Sequence, residues 1–218
     1  MRVNLNKRLI MAGSTRDKIL LTAETLFAEK GFDGVSVREI TAKAGSNVAS
    51  VNYYFGSKKG LYLAVFRERM TERARKVQDA FWKEIGDEKR PDAEKTIRAV
   101  ARAFLKSPFS EKERLLHHKL MSREVNRPTE AFEVFQKEVV QPFFNALLKL
   151  LTPYMKKGTP EKVRMLYVLS IIAQIMHFNL ARNMISSITG REFDEEFADL
   201  LIEHIVSFSL NGLRGGRC

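Results

Sequence analysis

Two very short helical segments in the N-terminal part of the chain constrain its fold most strongly. Ser36 and Glu39 form an S-x-x-E capping pair that opens the first segment, and Gly45 is placed to end it. Asn47 can cap the second segment. Helices of about eight residues are not stable alone, so both need support from the rest of the fold. Two such helices joined by a tight turn that contains glycine predict a helix-turn-helix.

The two faces of this helix pair carry different side chains. The side chains suited to burial are Ile40, Ala44, Val48, Val51 and Tyr54. The outer face of the second helix carries small or hydrogen-bonding side chains, none of them acidic: Asn47, Ala49, Ser50, Asn52 and Tyr53. Such a face can enter a groove lined by phosphates without repulsion. Within the aromatic run we expect Tyr54 and Phe55 in the core and Tyr53 at the surface.

The charge of the chain favours a polyanionic partner. It has 37 Lys and Arg against 26 Asp and Glu, a net charge of +11. This balance favours nucleic acid first and an anionic membrane surface second. Basic side chains near the N-terminus are candidates for further phosphate contacts, unless they form a disordered basic tail: Arg2, Lys7, Arg8 and Arg16. Charge alone also fits a helical protein that binds nucleic acid or an anionic surface without operator specificity.

The rest of the chain is also predicted to be helical, since no alternating strand pattern stands out. Further helices are expected near residues 14–30, 58–85, 92–106, 111–124, 129–152, 159–190 and 194–211. Thr159 is the expected N-cap and Pro160 the first helical residue of the long one. We therefore predict an all-α protein of about nine helices. Its expected domains are a three-helix helix-turn-helix domain over residues 1–62 and a larger helical domain over residues 63–218.

Sequence patterns typical of enzymes are missing. None of the four histidines follows a glutamate by three residues, as a di-iron helical bundle requires. Glu113 and His117 stand one helical turn apart, but a lone pair of this kind is more typical of a surface contact than of a metal site. The single cysteine, Cys218, fits a reducing cytoplasm. We predict no enzymatic activity, no metal and no cofactor, and a cytoplasmic location.

Residues 31–66, GFDGVSVREITAKAGSNVASVNYYFGSKKGLYLAVF, resemble the DNA-binding domain of the TetR family of bacterial transcriptional repressors. The resemblance implies a homodimer in which the helix-turn-helix domain is joined to a ligand-binding and dimerisation domain. At the matching positions it implies DNA contacts from Ser36, Arg38, Asn47, Ala49, Ser50, Asn52, Tyr53 and Lys58. Ser36 and Lys58 would contact phosphates, and Asn52 is suited either to an adenine or to the backbone. Ser46, Ala49 and Ser50 depart from the common Val, Gly and Thr, which leaves the operator sequence open.

The larger domain is rich in aromatic and methionine side chains, which suit an apolar pocket but are equally typical of a helical core. The family resemblance favours a site for a small, largely apolar effector. Its candidate residues are Phe81, Trp82, Phe104, Leu116, His117, Met121, Phe135, Phe144 and His177.

Residues 120–151 resemble a TetR subfamily with a recurring R-E…P-T…P arrangement, some members of which are associated with antibiotic sensitivity and efflux genes. The residues that carry this resemblance are Arg123, Glu124, Pro128, Thr129 and Pro142. For Arg123 and Glu124 we favour a helix cap or an inter-helix ion pair over a ligand contact.

The last helices, near residues 160–189 and 194–211, are expected to form the homodimer contact that the family resemblance implies. The uncharged run 165–181 falls short of a membrane span and includes polar residues, so we expect a helix buried in protein and no membrane partner. One face of the last helix carries Phe197, Leu200, Leu201, His204, Ile205 and Phe208. A dimer would present two recognition helices ~34 Å apart to a double-stranded operator. An effector that changed this separation would weaken both half-sites together.

Overall fold

The computed structural model describes the backbone of residues 13–215 and the side chains up to Leu213, so the predicted contacts of Arg2, Lys7 and Arg8 lie outside the described residues. Within this range every regular element is helical. The α-helices are α1 (Thr15–Lys30), α2 (Val37–Ala44), α3 (Val48–Phe55), α4 (Lys58–Ala64), α5 (Thr71–Ile85), α6 (Ala93–Leu105), α7 (Glu111–Asn126), α8 (Glu130–Phe135), α9 (Gln141–Leu151), α10 (Glu161–Leu180), α11 (Arg182–Thr189) and α12 (Glu195–Gly215).

Two of these junctions are continuous, because π-helical turns join α4 to α5 (Val65–Met70) and α8 to α9 (Gln136–Val140). The described range therefore holds ten uninterrupted helices, one more than the nine expected. The additional helix comes from a break at Ala181, where the predicted helix 159–190 divides into α10 and α11.

The residue that follows the break at Ala181 caps the end of a neighbouring helix. Arg182, the first residue after it, donates a hydrogen bond of 2.9 Å to the carbonyl of Leu105 at the end of α6 and another of 2.9 Å to Asn179 Oδ1. The last carbonyls of a helix lack partners within it, so a guanidinium placed there is stabilising. The start of α10 also differs from the prediction: Pro160 is the N-cap, and the Thr159 hydroxyl donates to the Lys156 carbonyl instead.

The chain divides into two compact units. The first unit contains the residues up to Arg73 together with Phe109–Glu138. It therefore combines α1–α4 with α7 and α8, which come from the region predicted as the second domain. The second unit contains Ala74–Pro108 and the chain from Val139 onward. The domain limit predicted between residues 62 and 63 stays a prediction.

Helix caps set the starts of the helices in the first unit. Ser14 and Asp17 form a reciprocal capping box at α1, and the Asn47 and Ser57 side chains accept the backbone N–H groups of Ser50 and Gly60. The cap at Asn47 confirms the sequence prediction. At α2 the box is only half formed: Ser36 accepts the N–H of Glu39 at 3.1 Å, but the Glu39 carboxylate contacts Lys30 Nζ at 2.7 Å instead. That contact lowers the pKa of Glu39.

In the second unit α6 packs mainly against α12 and also against α10. Its apolar side chains Ile97, Val100 and Leu105 are buried. α10 behaves differently from the prediction. It is a 20-residue helix with a mean hydropathy of 1.4 in its most apolar window, long and apolar enough to cross a membrane by length and composition, and only 22% of that window is buried. The expectation that this segment is too short to span a membrane is therefore wrong. The expected burial in protein, against its own subunit and a partner, stays a prediction, because the single chain covers only part of the helix.

Candidate DNA-binding interface

The helix-turn-helix is held by a small buried contact between α1, α2 and α3. Ile40, Ala44 and Val51 are buried there. Gly45 ends α2 in the left-handed region, with φ +64°, where glycine carries no steric cost. The next N–H, that of Ser46, donates to the Thr41 carbonyl at 2.9 Å. The turn therefore fixes the direction of α3 relative to α2.

The burial predicted for the other two inward-facing residues is wrong. Val48 is 41% exposed and Tyr54 is 40% exposed. In a helix of only two turns, a single residue, Val51, is buried. Val48 sits at the first helical position and Tyr54 in the last turn, where the supporting helices no longer cover the side chain. Sequence reasoning therefore missed Val48 as a surface residue, although an apolar side chain there can contact a thymine methyl group.

All eight residues predicted to contact DNA lie in the first unit. Ser36, Arg38, Asn47, Ala49 and Asn52 are exposed, and so is Tyr53, at 83%. Ser50 and Lys58 are half-buried. The side-chain oxygen of Asn47, Oδ1, already accepts hydrogen bonds from the Ser50 backbone N–H at 2.9 Å and from the Ser50 hydroxyl at 3.0 Å. The side-chain NH₂ of Asn47 is therefore the group left to face a partner.

The charged side chains around this face differ in how they are held. Lys58 Nζ lies 4.4 Å from the centre of the Phe32 ring, at the N-terminus of α4. Lys59 forms an ion pair of 2.6 Å with Glu130, which lowers the pKa of that carboxyl group. Arg16 makes a two-pronged contact with Glu68, so its guanidinium is engaged within the protein. Lys58 is thus better placed for a phosphate than Arg16, which was also a candidate.

Arg123 has one of the two structural roles that we favoured for it, whereas Glu124 accepts hydrogen bonds from uncharged groups. Arg123 Nη2 donates to the Glu29 carbonyl at 2.9 Å, near the C-terminus of α1. Glu124 is buried and accepts hydrogen bonds from Tyr62 and Thr129. The helix-capping interpretation is therefore confirmed for Arg123.

The predicted effector residues fall in both units. Phe81, Trp82, Phe104, Phe144 and His177 belong to the second unit, and Leu116, His117, Met121 and Phe135 to the first. The Phe81 ring is buried and packs edge-on against Trp82 and Phe143, with centroids 4.8 and 5.2 Å away. His177 is exposed. The cavities of about 270 and 240 Å³ beside Tyr54 and Tyr154 are lined by none of the nine. The effector site stays a prediction.

Glu113 and His117, the pair weighed as a metal site, have separate surroundings. The Glu113 carboxylate closes a capping box with Ser110 at the start of α7. Burial, together with the charges of His118 and Arg73, lowers the pKa of His117 to about 3. In the described part of the chain no three metal-ligating side chains come together.

Comparison with known protein families gives two models that match this chain. The family model described as HTH-type transcriptional dual regulator CecR, C-terminal domain, matches residues 93–213, more than half of the chain. The model described as bacterial regulatory proteins, tetR family, matches residues 19–65, which include the helix-turn-helix. The chain belongs to the TetR family. It is therefore a bacterial transcription regulator and not an enzyme.

Individual relatives agree with this assignment. The chain is 28% identical to the HTH-type transcriptional dual regulator CecR of Shigella flexneri over 95% of its own length and 97% of the relative. Over 58 residues, 27% of each chain, it is 41% identical to the HTH-type transcriptional repressor NicS of Pseudomonas putida. Its fold resembles the fatty acid degradation regulator FadR from Bacillus halodurans, with 16% identity, a TM-score of 0.60 and coverage of 92% and 97%. A transcriptional regulator from Rhodococcus sp. RHA1 has a TM-score of 0.62 at 18% identity, with coverage of 91% and 97%.

Proposed function

We propose that this member of the TetR family is a cytoplasmic, ligand-responsive repressor that binds a palindromic operator as a homodimer and is released by a small, largely apolar effector. The observation that carries the proposal is the outer face of α3. Its exposed side chains are Asn47, Val48, Ala49, Asn52 and Tyr53, none of them acidic. A helix with such a face can lie in the major groove, where amide groups read base edges and apolar groups contact thymine methyls.

Phosphate contacts would fix the orientation of α3 in the groove. Lys58 stands at the first position of α4, beside backbone N–H groups that have no partner within the helix. Such a helix start favours anions, and the lysine adds a full positive charge. Ser36 is exposed at the start of α2 and can donate its hydroxyl proton to a second phosphate. These contacts would position the protein on DNA, while the side chains of α3 would supply sequence preference.

A continuous uncharged face on α10 and α12 supports the homodimer. On α10 the exposed residues at intervals of one helical turn are Leu166, Leu169, Ser170, Ala173, His177 and Leu180. On α12 the exposed residues at similar intervals are Leu200, His204, Ser207, Phe208 and Asn211. The rings of Phe178 and His204, 6.1 Å apart, connect the two helices. We call these eleven residues the dimer face.

The chemistry of the dimer face indicates which kind of partner covers it. Large exposed apolar patches mark interfaces with protein or membrane. Gln174, His177 and Asn179 on α10 are costly to place in lipid but can find partners in a protein interface. Ser170 and Ala173 leave room for a second helix to approach closely. A second copy of the chain would cover the same residues on both subunits, as two-fold symmetry requires.

The effector is proposed to act on the distance between the two recognition helices of the dimer. A ligand that favours a different spacing weakens both half-sites at once, so a modest difference in affinity between two conformations changes operator occupancy strongly. The Shigella flexneri relative is named a dual regulator. A transcription assay with the operator placed upstream of a reporter therefore separates repression from activation. The association with antibiotic sensitivity and efflux genes is part of the same proposal.

Binding of the purified protein to the DNA upstream of its own gene tests the proposal. The assay includes excess random DNA and a series of salt concentrations. We expect the protein to protect a palindrome, and this binding should persist in the presence of the competitor. Tyr53→Ala should weaken the binding while the dimer stays intact. Lys58→Ala should weaken binding to all sequences. It should also reduce the salt dependence by about 0.9 in log Kd per log salt for each phosphate that the variant no longer neutralises.

Two results would contradict the proposal. Binding that disappears with random competitor would indicate the alternative, a basic helical protein that binds nucleic acid or anionic surfaces without operator preference. Loss of dimerisation in Tyr53→Ala or Lys58→Ala would mean that the α3 face is not the DNA-binding surface.

A further inference from the structure

We propose that the R-E…P-T segment is a clamp that positions Lys58 for its phosphate contact. The clamp consists of Arg123, Glu124 and Thr129, at the end of α7 and the start of α8. It holds two helices of the DNA-binding part of the first unit, α1 and α4. This inference rests on the proposed function for its DNA-binding consequence, whereas the clamp itself is an arrangement of contacts within one unit.

Arg123 holds the end of α1. Its Nη2 donates to the Glu29 carbonyl at 2.9 Å, and its Nε lies 3.4 Å from the Ala28 carbonyl. Both carbonyls belong to the last turn, where the negative end of the helix dipole attracts a cation. Gly31 makes the approach possible: it has φ +77°, and a Cβ on it would stand 2.9 Å from Arg123 Nη1. The sequence therefore supplies the cation and the space for it from separate segments.

Glu124 holds α4. Its buried carboxylate accepts the Tyr62 hydroxyl at 2.6 Å, and the Thr129 backbone N–H at 2.8 Å. The Thr129 hydroxyl donates to the same carboxylate at 3.0 Å. Burial, and then the hydrogen bond to Glu124, raise the pKa of Tyr62 far above its usual value, so the hydroxyl keeps its proton. A buried carboxylate with three donors is satisfied without a cation, and it fixes the Tyr62 ring.

Aromatic contacts lead from Tyr62 to Lys58. The Tyr62 ring packs edge-on against Phe32, with centroids 5.2 Å apart, and against Phe27 at 5.0 Å. Phe32 in turn carries the Lys58 ammonium 4.4 Å from its centre. A cation over an aromatic face is attracted by the ring and loses much of its freedom to move. Glu124 therefore acts on Lys58 through two rings, and Lys58 is held near one position before DNA arrives.

The bend between α7 and α8 keeps the members of the clamp in register. Thr129 caps α8 through its hydroxyl, which accepts from Ala131 N, while Pro128 before it prevents α7 from continuing. Glu130, the next residue, pairs with Lys59 on α4 at 2.6 Å. The segment thus contacts α4 at two residues that follow Lys58, at Lys59 through Glu130 and at Tyr62 through Glu124. These contacts pre-organise the start of α4, which lowers the entropic cost of binding.

Tyr62→Phe is the variant that isolates the clamp. It removes one hydroxyl and leaves the ring and the two Thr129 donors to Glu124 in place. We expect operator affinity to fall about threefold to tenfold, the loss that one buried hydrogen bond can account for. The salt dependence should fall as it does in Lys58→Ala. The matched control is Tyr154→Phe, which removes a hydroxyl bonded to the Pro91 carbonyl in the second unit and should leave affinity unchanged.

The double variant Lys58→Ala/Tyr62→Phe decides whether the clamp acts through Lys58. If it does, the double variant binds the operator as Lys58→Ala alone does, because the two changes remove the same contact. Full affinity in Tyr62→Phe, or losses that multiply in the double variant, would overturn the proposal.

Amide hydrogen exchange of the full-length protein without DNA provides a second measurement. Arg123→Gln should speed exchange at the end of α1, and Tyr62→Phe should speed exchange at the start of α4. If the wild type shows no preference for an operator, the proposed function fails, and hydrogen exchange alone then tests whether the clamp exists. Amide protection that is unchanged in both variants would refute the clamp.

Discussion

Replacing Glu24 by glutamine would test the most deeply buried ion pair of the first unit. Glu24 on α1 is 1% exposed, and its partner Arg73, at the start of α5, is 4% exposed. Arg73 donates to one carboxylate oxygen, and Arg69 Nε lies 3.2 Å from the other. With Glu24 neutral, Arg73 would keep its charge in a site of low dielectric and would lose the carboxylate that it contacts directly.

The expected loss follows from this burial. Removal of one partner from a buried pair costs about 3–5 kcal/mol in the free energy of unfolding. Arg69 is partly exposed and can regain water, so we place the loss at ~3 kcal/mol. At roughly 2–4 °C per kcal/mol, Tm should fall by about 6–12 °C. The variant Glu24→Met/Arg73→Met should recover most of the loss, because neither charge is then left buried alone.

Thermal and urea unfolding of the full chain would measure both effects, with Glu39→Gln as the control. Glu39 pairs with Lys30 at the surface, where water replaces a lost ion pair, so its Tm should stay near that of the wild type. A shift below about 2 °C in Glu24→Gln would refute the reasoning, since it would mean that water reaches Arg73 in the folded protein.

Two further predictions concern pH and assembly. Burial lowers the pKa of His117 to about 3, against about 6.5 in the unfolded chain. Between these two values only the unfolded chain binds the proton. The free energy of unfolding therefore falls by ~1.4 kcal/mol for each pH unit below about pH 6.5. Urea midpoints at pH 7 and pH 5 should therefore differ less in His117→Leu than in the wild type, and equal differences would contradict this. Leu169→Glu on the dimer face should give monomers in sedimentation, whereas Leu115→Glu, an exposed leucine on α7, should stay dimeric; dimers of Leu169→Glu would exclude the dimer face.

Most of the fold could be predicted because its helix ends carry local signals. Caps at Ser14, Asn47 and Ser57 depend on side chains that contact the backbone three residues away, so a short window of sequence contains all the information. The break at Ala181 has no such local signal. Its reason is the capping of α6 by Arg182, a contact between residues 77 positions apart.

The candidate site was predictable to the extent that it depends on the periodicity of α2 and α3. Ile40, Ala44 and Val51 are buried as the helical spacing predicts. Periodicity does not reveal how far a supporting helix extends, and for this reason Val48 and Tyr54 were misplaced. For Arg123 the sequence favoured a helix cap or an inter-helix ion pair over a ligand contact, and the structure shows the cap. Its target, the end of α1 more than ninety residues earlier, follows only from the fold.

The uncharged run of α10 marks a limit of a different kind. Its composition predicts a helix that avoids water, yet only 22% of its most apolar window is buried in the single chain, so the chain itself does not supply the covering surface. An apolar face of one chain and that of a symmetric dimer have the same sequence signature, because hydrophobic burial does not depend on which molecule provides the cover. The polar side chains of this face favour a protein partner over lipid. Ser170 and His177 lie among the leucines, and such groups find hydrogen-bond partners in protein but not in lipid. The same side chains that weaken the case for a membrane therefore strengthen the case for a second subunit.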